Sequence, residues 1–201
     1  MINIYRIFFF LISRFLIFLD NFFKKIFKRN EFLPSIHNYI ENNQYYETKI
    51  GNKKIVFFCP SHLTIKRFKT LYTKEPETLS WIDSFQPHNY EKISFWDIGA
   101  NIGLYSVYAA TKFKDIEIIS FEPSTSNTRT LSRNIFINNF EKKISIFPLA
   151  LTDKENIISE FNETIFTEGG AQSSFNTNIG YIGKVIGENK SPYKLLSTQY
   201  T

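Results

Sequence analysis

Between residues 93 and 121 the chain switches twice between two hydrophobic periods. Ile93–Asp97 is an apolar run ended by an acid. Gly103–Phe113 then carries Leu104, Val107, Tyr108 and Phe113 at helical spacing. Ile116–Phe121 is a second apolar run, ended by Glu122 and stopped by Pro123. Ser124 is placed to cap the next helix, in which Leu131, Ile135 and Phe136 form an apolar stripe that stops at Asn138-Asn139, and Ile144–Leu149 reads as a third strand. Strands and helices alternating at short intervals predict an α/β fold with a parallel, doubly wound sheet flanked by helices.

The flanking segments follow other patterns. Residues 1–30 are rich in Phe, Ile and Leu, but Arg6 and Arg14 interrupt the run, which is too broken for a transmembrane helix of about 20 apolar residues. At helical spacing Asn3, Arg6, Ser13, Arg14, Asp20, Asn21, Lys24, Lys25 and Lys28 gather within a sector of roughly 140°. This is an amphipathic helix with a basic polar face, suited either to an anionic lipid surface or to packing on its own domain or a partner. Arg14 splits the apolar core and no small-residue cleavage site follows, which argues against a signal peptide. Glu31–Gln44, with Pro34 and several Asn, reads as a linker, and Tyr45–Cys59 as a β-hairpin turning at Gly51-Asn52. Residues 31–60 thus join the arm to a domain spanning 61–201. Within that domain a short helix is expected over Ser61–Thr70 and a clearer one over Glu75–Phe85, where Pro76 suits the first turn and Trp81 serves packing. Downstream, Asn156–Phe161 and Lys194–Gln199 read as strands, and Thr167–Asn176 as a flexible polar loop.

Charge and cysteine content narrow the function classes. The net charge of +5 lies wholly within residues 1–30, where six basic residues face Asp20 alone. The neutral remainder of the 201 residues offers nucleic acid no basic surface. The single cysteine, Cys59, excludes an internal disulfide, fits a reducing, cytoplasmic location and reads as a small buried apolar residue. His37, His62 and His88 are scattered, so no metal site is indicated. The sequons at Asn162 and Asn189 read as chance matches.

The chemistry is concentrated at the ends of the first two strands. Asp97-Ile98-Gly99-Ala100-Asn101-Ile102-Gly103 has the strand–turn–helix setting of a nucleotide site, but an acid where the dinucleotide fingerprint has its first glycine, and its two glycines lie one residue too far apart. A carboxylate there opposes a pyrophosphate and suits a cationic or hydroxyl-bearing ligand. A nicotinamide-dependent oxidoreductase is disfavoured on both grounds. Gly99 allows close approach of backbone to ligand, and Gly103 a tight start to the helix. Glu122, at the end of the second strand, is an acceptor for two vicinal ribose hydroxyls. Asn101 either supports the turn or bonds the methionine end of a cofactor such as S-adenosyl-L-methionine, and Asp97 meets that end directly or through water.

The run Phe95–Gly103, Ser120-Phe121-Glu122-Pro123, Asn134 with Asn138-Asn139, Pro148–Asp153 and Gly170–Ser174 resembles the FkbM family of S-adenosylmethionine-dependent methyltransferases, with Lys74–Thr78 similar to that family's opening helix. The likeness runs from about Lys66 to Ser174. It implies a Rossmann-like methyltransferase fold, S-adenosyl-L-methionine as cofactor, O-methylation of a hydroxyl on a sugar, glycan or natural product, and Ala150 and Leu151 near the adenine. It also implies a later strand with a Lys-Ile-Asp-Val-Glu-Gly-like motif, which does not occur before Thr201. The expectation is therefore a domain truncated on its C-terminal side, with an exposed apolar sheet surface. The competing expectation is an inactive fragment that keeps at most a cofactor or partner surface. No catalytic base is indicated. A membrane-bound arm would put the protein at the inner membrane face.

Overall fold

The computed structural model describes residues 2–87, 92–154, 157–180, 183, 185–186 and 193–199, leaving His88, the start expected for the strand at Asn156 and the sequon at Asn189 outside the described residues. These fall into two units, 1–44 and 45–201, so the hairpin belongs with the larger one.

In the smaller unit α1 (Ile2–Phe27) is the expected helix, but the expected linker contains a second one, α2 (Phe32–Glu41). Pro34 does not break it, because the third helical position needs no N–H donor. The Asp20 carboxylate accepts from the Leu33 N–H at 3.2 Å, supplying the cap that Glu31 does not, and Phe23 stacks on Phe32 at 5.0 Å. No described helix is long and apolar enough to cross a membrane.

The larger unit opens with the antiparallel hairpin β1 (Tyr45–Ile50) and β2 (Lys53–Phe58), turned by Gly51 at φ 57. Helices α3 (His62–Lys69) and α4 (Pro76–Asp83) follow, the first with a reciprocal Ser61–Thr64 cap, the second with proline in its first turn. Then come β3 (Ile93–Ile98), α5 (Leu104–Lys112), β4 (Ile116–Phe121), α6 (Thr125–Ile137) and β5 (Ile144–Phe147). The three strands form a parallel sheet in the order β3-β4-β5, the Rossmann-like α/β arrangement expected. Phe95, Ile116, Ile118 and Ile144 turn inward with Val107 of α5 and Leu131 of α6, and the hairpin adds Ile50, Ile55 and Phe57 to this core. Cys59 is fully buried there, which pushes its thiol up to about 12. Trp81 packs edge-on against Phe85 and Phe95.

Strand alternation puts Trp96, Ile98, Phe121 and Phe147 on the other face of the sheet, where Trp96, Ile98 and Phe147 remain exposed. The third strand ends earlier than expected. Pro148 has no N–H for the ladder, Leu149 turns back to the Phe147 carbonyl, and Ala150-Leu151 pass into β6 (Ala150–Thr152) of a second sheet. That sheet, ordered β6-β9-β7-β8, adds β7 (Ile158–Asn162), β8 (Ser174–Phe175) and β9 (Tyr193–Gln199).

Two asparagines, one buried and one half-buried, tie the hairpin to the sheet layer. Asn134, fully buried on α6, accepts from the Phe58 N–H at 2.7 Å and donates to the Ile102 carbonyl at 2.8 Å. One turn later Asn138 accepts from the Val56 N–H at 3.0 Å and donates to the Val56 carbonyl at 2.7 Å. Two side chains at i and i+4 thus serve the free edge of β2 much as a neighbouring strand would.

Candidate functional site

The turn after β3 is built by hydrogen bonds from the neighbouring strand. The Gly99 and Ala100 N–H groups both donate to the Phe121 carbonyl, at 2.9 and 3.0 Å, and Gly103 closes the turn on the Ala100 carbonyl at 2.8 Å. Gly99 and Gly103 have φ of 80°, the left-handed region that glycine adopts without strain. At Gly103 space is short as well, since a Cβ would stand 2.3 Å from Cδ1 of Leu131.

Glu122 sits at the carboxyl end of β4, 5% exposed. Its Oε2 accepts from the Asn101 N–H at 2.7 Å, and its Oε1 accepts from the Ser124 N–H at 2.9 Å and the Asn127 amide at 3.4 Å. Burial raises its pKa from the ordinary value; the donors from Ser124, Asn101 and Asn127 oppose the rise, and the charge of Glu163 adds to it. A carboxylate oxygen takes two donors, so Oε2 keeps a position for a ligand hydroxyl while Oε1 is filled. The carboxylate can therefore accept one further hydroxyl donor as it stands, and a second if the long Asn127 contact yields. Glu163 is itself buried, with burial raising its pKa against hydrogen bonds from Ser124 and Tyr193, and among the described residues its Oε2 has no hydrogen-bond partner.

Asp97 does not face this opening. Its Oδ2 accepts from the backbone N–H (3.1 Å) and the hydroxyl of Ser106, the third residue of α5. Ser106 in turn contacts the Ser120 hydroxyl at 2.7 Å. Asp97 is buried on the inner face with Phe95, and burial raises its pKa. The carboxylate occupies the positive end of α5, where a dinucleotide fold binds its pyrophosphate.

The segment expected to be a flexible loop is built into the site. Gly169 and Gly170 are buried. The Gly169 N–H donates to the Asn127 side chain at 2.8 Å and its carbonyl accepts from Arg67 Nε at 2.7 Å. The Gly170 carbonyl accepts from the Asn101 amide at 2.6 Å and the Asn127 amide at 3.1 Å. A Cβ on Gly169 would stand 2.9 Å from the Thr64 nitrogen, and one on Gly170 2.8 Å from the Ile165 carbonyl.

Two cavities flank the turn and share Gly99, Asn101 and Ala171. One, of about 190 Å³, is lined by Glu122, Pro123, Asn127, Phe161 and Gly170–Ser173. The other, of about 260 Å³, is lined by Arg67, Thr70, Leu71, Lys74, Glu75, Ala100, Ile102, Leu104 and Tyr105. Of the residues expected at the site, Gly99, Asn101 and Glu122 come together here, with Gly103 shaping the turn. Asp97, Ala150 and Leu151 line neither cavity. Arg67 and Glu75 are cavity residues that the sequence pattern does not single out. Among the described residues there is no cluster of metal-ligating side chains.

Comparison with known proteins gives partial likenesses. No protein-family model matches the chain. It is 30% identical over 103 residues to the AMB antimetabolite synthetase AmbE of Pseudomonas aeruginosa, covering 51% of this chain and 4% of that protein. It is 44% identical over 43 residues to the methyltransferase sdnD of Sordaria araneosa, covering 21% of this chain and 17% of that protein. The chain thus spans less than a fifth of the length of each of these curated relatives. Solved structures that resemble it include a precorrin-6y C5,15-methyltransferase from Geobacter metallireducens GS-15 (22% identity, 39% of this chain and 40% of that one, TM-score 0.33). Another is the methyltransferase FkbM from Methylobacillus flagellatus KT (19% identity, 49% and 31%, TM-score 0.27). At these TM-scores the structural likeness carries no functional argument.

Proposed function

We propose that this chain is an S-adenosyl-L-methionine-dependent methyltransferase domain of the FkbM type, acting on a hydroxyl of a sugar, glycan or other small molecule. The observation that carries the reading is the joining of Glu122 to the Gly99–Asn101 turn by a hydrogen bond, where two cavities share Gly99, Asn101 and Ala171. A carboxylate with a free acceptor position at the end of the second parallel strand is what a ribose needs, and the anion site of a dinucleotide is filled by Asp97. The short likeness to sdnD supports the same reaction class.

In this reading Glu122 holds the ribose, and Asn101, fixed by Gly170, sets the height of the turn beneath the ligand. S-adenosyl-L-methionine would supply a methyl group on a sulfonium, ready for in-line displacement. The chain's contribution is alignment: the buried Gly169–Gly170 segment and the Asn127 clamp keep the cavity walls fixed, and positioning of this kind is a large part of the rate gain in such reactions. Calorimetric titration with S-adenosylhomocysteine, with NAD⁺ as counter-ligand, tests the assignment.

The basic amphipathic α1 supports a second element of the proposal, peripheral contact of residues 1–30 with an anionic membrane surface at the cytoplasmic face. Exposed Phe8, Phe15, Phe18 and Phe22 supply the apolar side. Replacing Lys24, Lys25, Lys28 and Arg29 together by glutamate is expected to abolish co-sedimentation with liposomes containing phosphatidylserine. Unchanged co-sedimentation would contradict the contact.

A further inference from the structure

Neither cavity alone reaches the roughly 300 Å³ at which pockets for drug-sized ligands begin. Because they share Gly99 and Asn101, a single ligand that reaches Glu122 through the first can extend over the turn into the second. The second cavity is lined by groups of both signs. Arg67, half-buried on α3, donates through Nε to the Gly169 carbonyl at 2.7 Å, and among the described residues its two Nη groups have no partner. Glu75, one residue before α4, accepts from the Tyr105 hydroxyl at 2.8 Å and pairs with Lys74 at 2.7 Å. Each Glu75 oxygen has thereby taken one donor of the two it can hold. The bonds from Lys74 and Tyr105 lower the Glu75 pKa.

We propose that Arg67 and Glu75 form a zwitterion clamp that takes the α-amino-acid end of the methyl donor, the guanidinium on its carboxylate and the Glu75 carboxylate on its ammonium. The inference rests on the methyl-donor reading above and adds the residues that select the ligand's tail. The planar guanidinium, fixed at Nε by Gly169, presents its remaining donors as a fork that matches a carboxylate. Glu75, paired with Lys74 through one oxygen, provides a carboxylate in the same cavity. The fixing bond also explains why Gly169 is held so tightly: its carbonyl orients Arg67 while its N–H and its neighbour hold the ribose side through Asn127 and Asn101.

The test compares two ligands that differ only at the tail. S-adenosylhomocysteine carries the amino-acid end, and 5′-methylthioadenosine lacks it. Arg67→Ala is expected to weaken S-adenosylhomocysteine by roughly ten- to a hundredfold, as loss of a charge-assisted pair does, while 5′-methylthioadenosine binding changes by less than about threefold. Glu75→Gln is expected to weaken only the former, by a smaller factor. Equal losses for both ligands in folded protein, or no loss for either, would overturn the clamp. If Arg67→Ala does not fold, Glu75→Gln decides by the same comparison. Failure of both ligands to bind the unaltered chain would instead overturn the methyl-donor reading itself.

Discussion

Replacing Glu122 by alanine is expected to reduce affinity for S-adenosylhomocysteine by about ten- to a hundredfold or more. Hydrogen bonds to a charged group contribute about 1.5–3 kcal/mol, and each 1.4 kcal/mol is a factor of ten. The loss has a direct part, the ribose acceptor, and an indirect one. Glu122 also holds the Asn101 and Ser124 N–H groups, so the turn beneath the ligand loses its anchor. The two parts separate by pH. Burial raises the Glu122 pKa in the unliganded protein, and ribose hydroxyls donate more strongly to its ionised form than to the protonated acid. Affinity in the unaltered chain should therefore fall on acidification, and begin to fall above the pH at which an ordinary glutamate protonates. Glu122→Ala should flatten that dependence as well as lower the affinity. Calorimetry across the acidic range reads both, and a steep pH dependence retained in the variant would assign it to another group.

The second large effect is on the fold. Asn134→Leu is expected to destabilise the larger unit by about 2–6 kcal/mol, because the Phe58 N–H and the Ile102 carbonyl would each lose a buried partner at about 1–3 kcal/mol. Against a domain stability of about 5–15 kcal/mol this is enough to shift urea unfolding far toward low denaturant. Leucine has the same number and branching of side-chain heavy atoms as asparagine, so the change removes the hydrogen bonds without leaving a cavity. A midpoint that does not move would mean that the hairpin is held by its apolar contacts alone. The same substitution should also loosen the turn, since Ile102 follows Asn101 directly.

Periodicity and turn chemistry carry the Rossmann-like half of the fold. Ile116–Phe121 alternates inward and outward as its residues suggest, Ser124 caps α6, and Gly51-Asn52 turns the hairpin. These features depend on local sequence, where hydrophobic period and capping residues act. The site is different. Gly170 is bonded to Asn101 and Asn127 across 69 and 43 positions, and Gly169 to Arg67 across 102. Nothing local in Thr167–Asn176 distinguishes such a segment from a solvated loop. Asp97 is legible as important but not as a helix anchor, because its position on the inner face depends on the pairing with β4. Arg67 lies among Lys66 and Lys69 in a short basic helix, and only the fold turns it toward the cavity. The helix α2 was hidden by Pro34, which reads as a breaker unless the first turn is recognised as starting at Phe32.

The measurement that bears most directly on the central claim is calorimetric titration of the full chain with S-adenosylhomocysteine, set beside NAD⁺. Saturable single-site binding of S-adenosylhomocysteine, with no heat from NAD⁺, is the predicted result. Absence of binding to S-adenosylhomocysteine, or preference for NAD⁺, would contradict the assignment of the Gly99–Asn101 turn and Glu122 to a methyl donor.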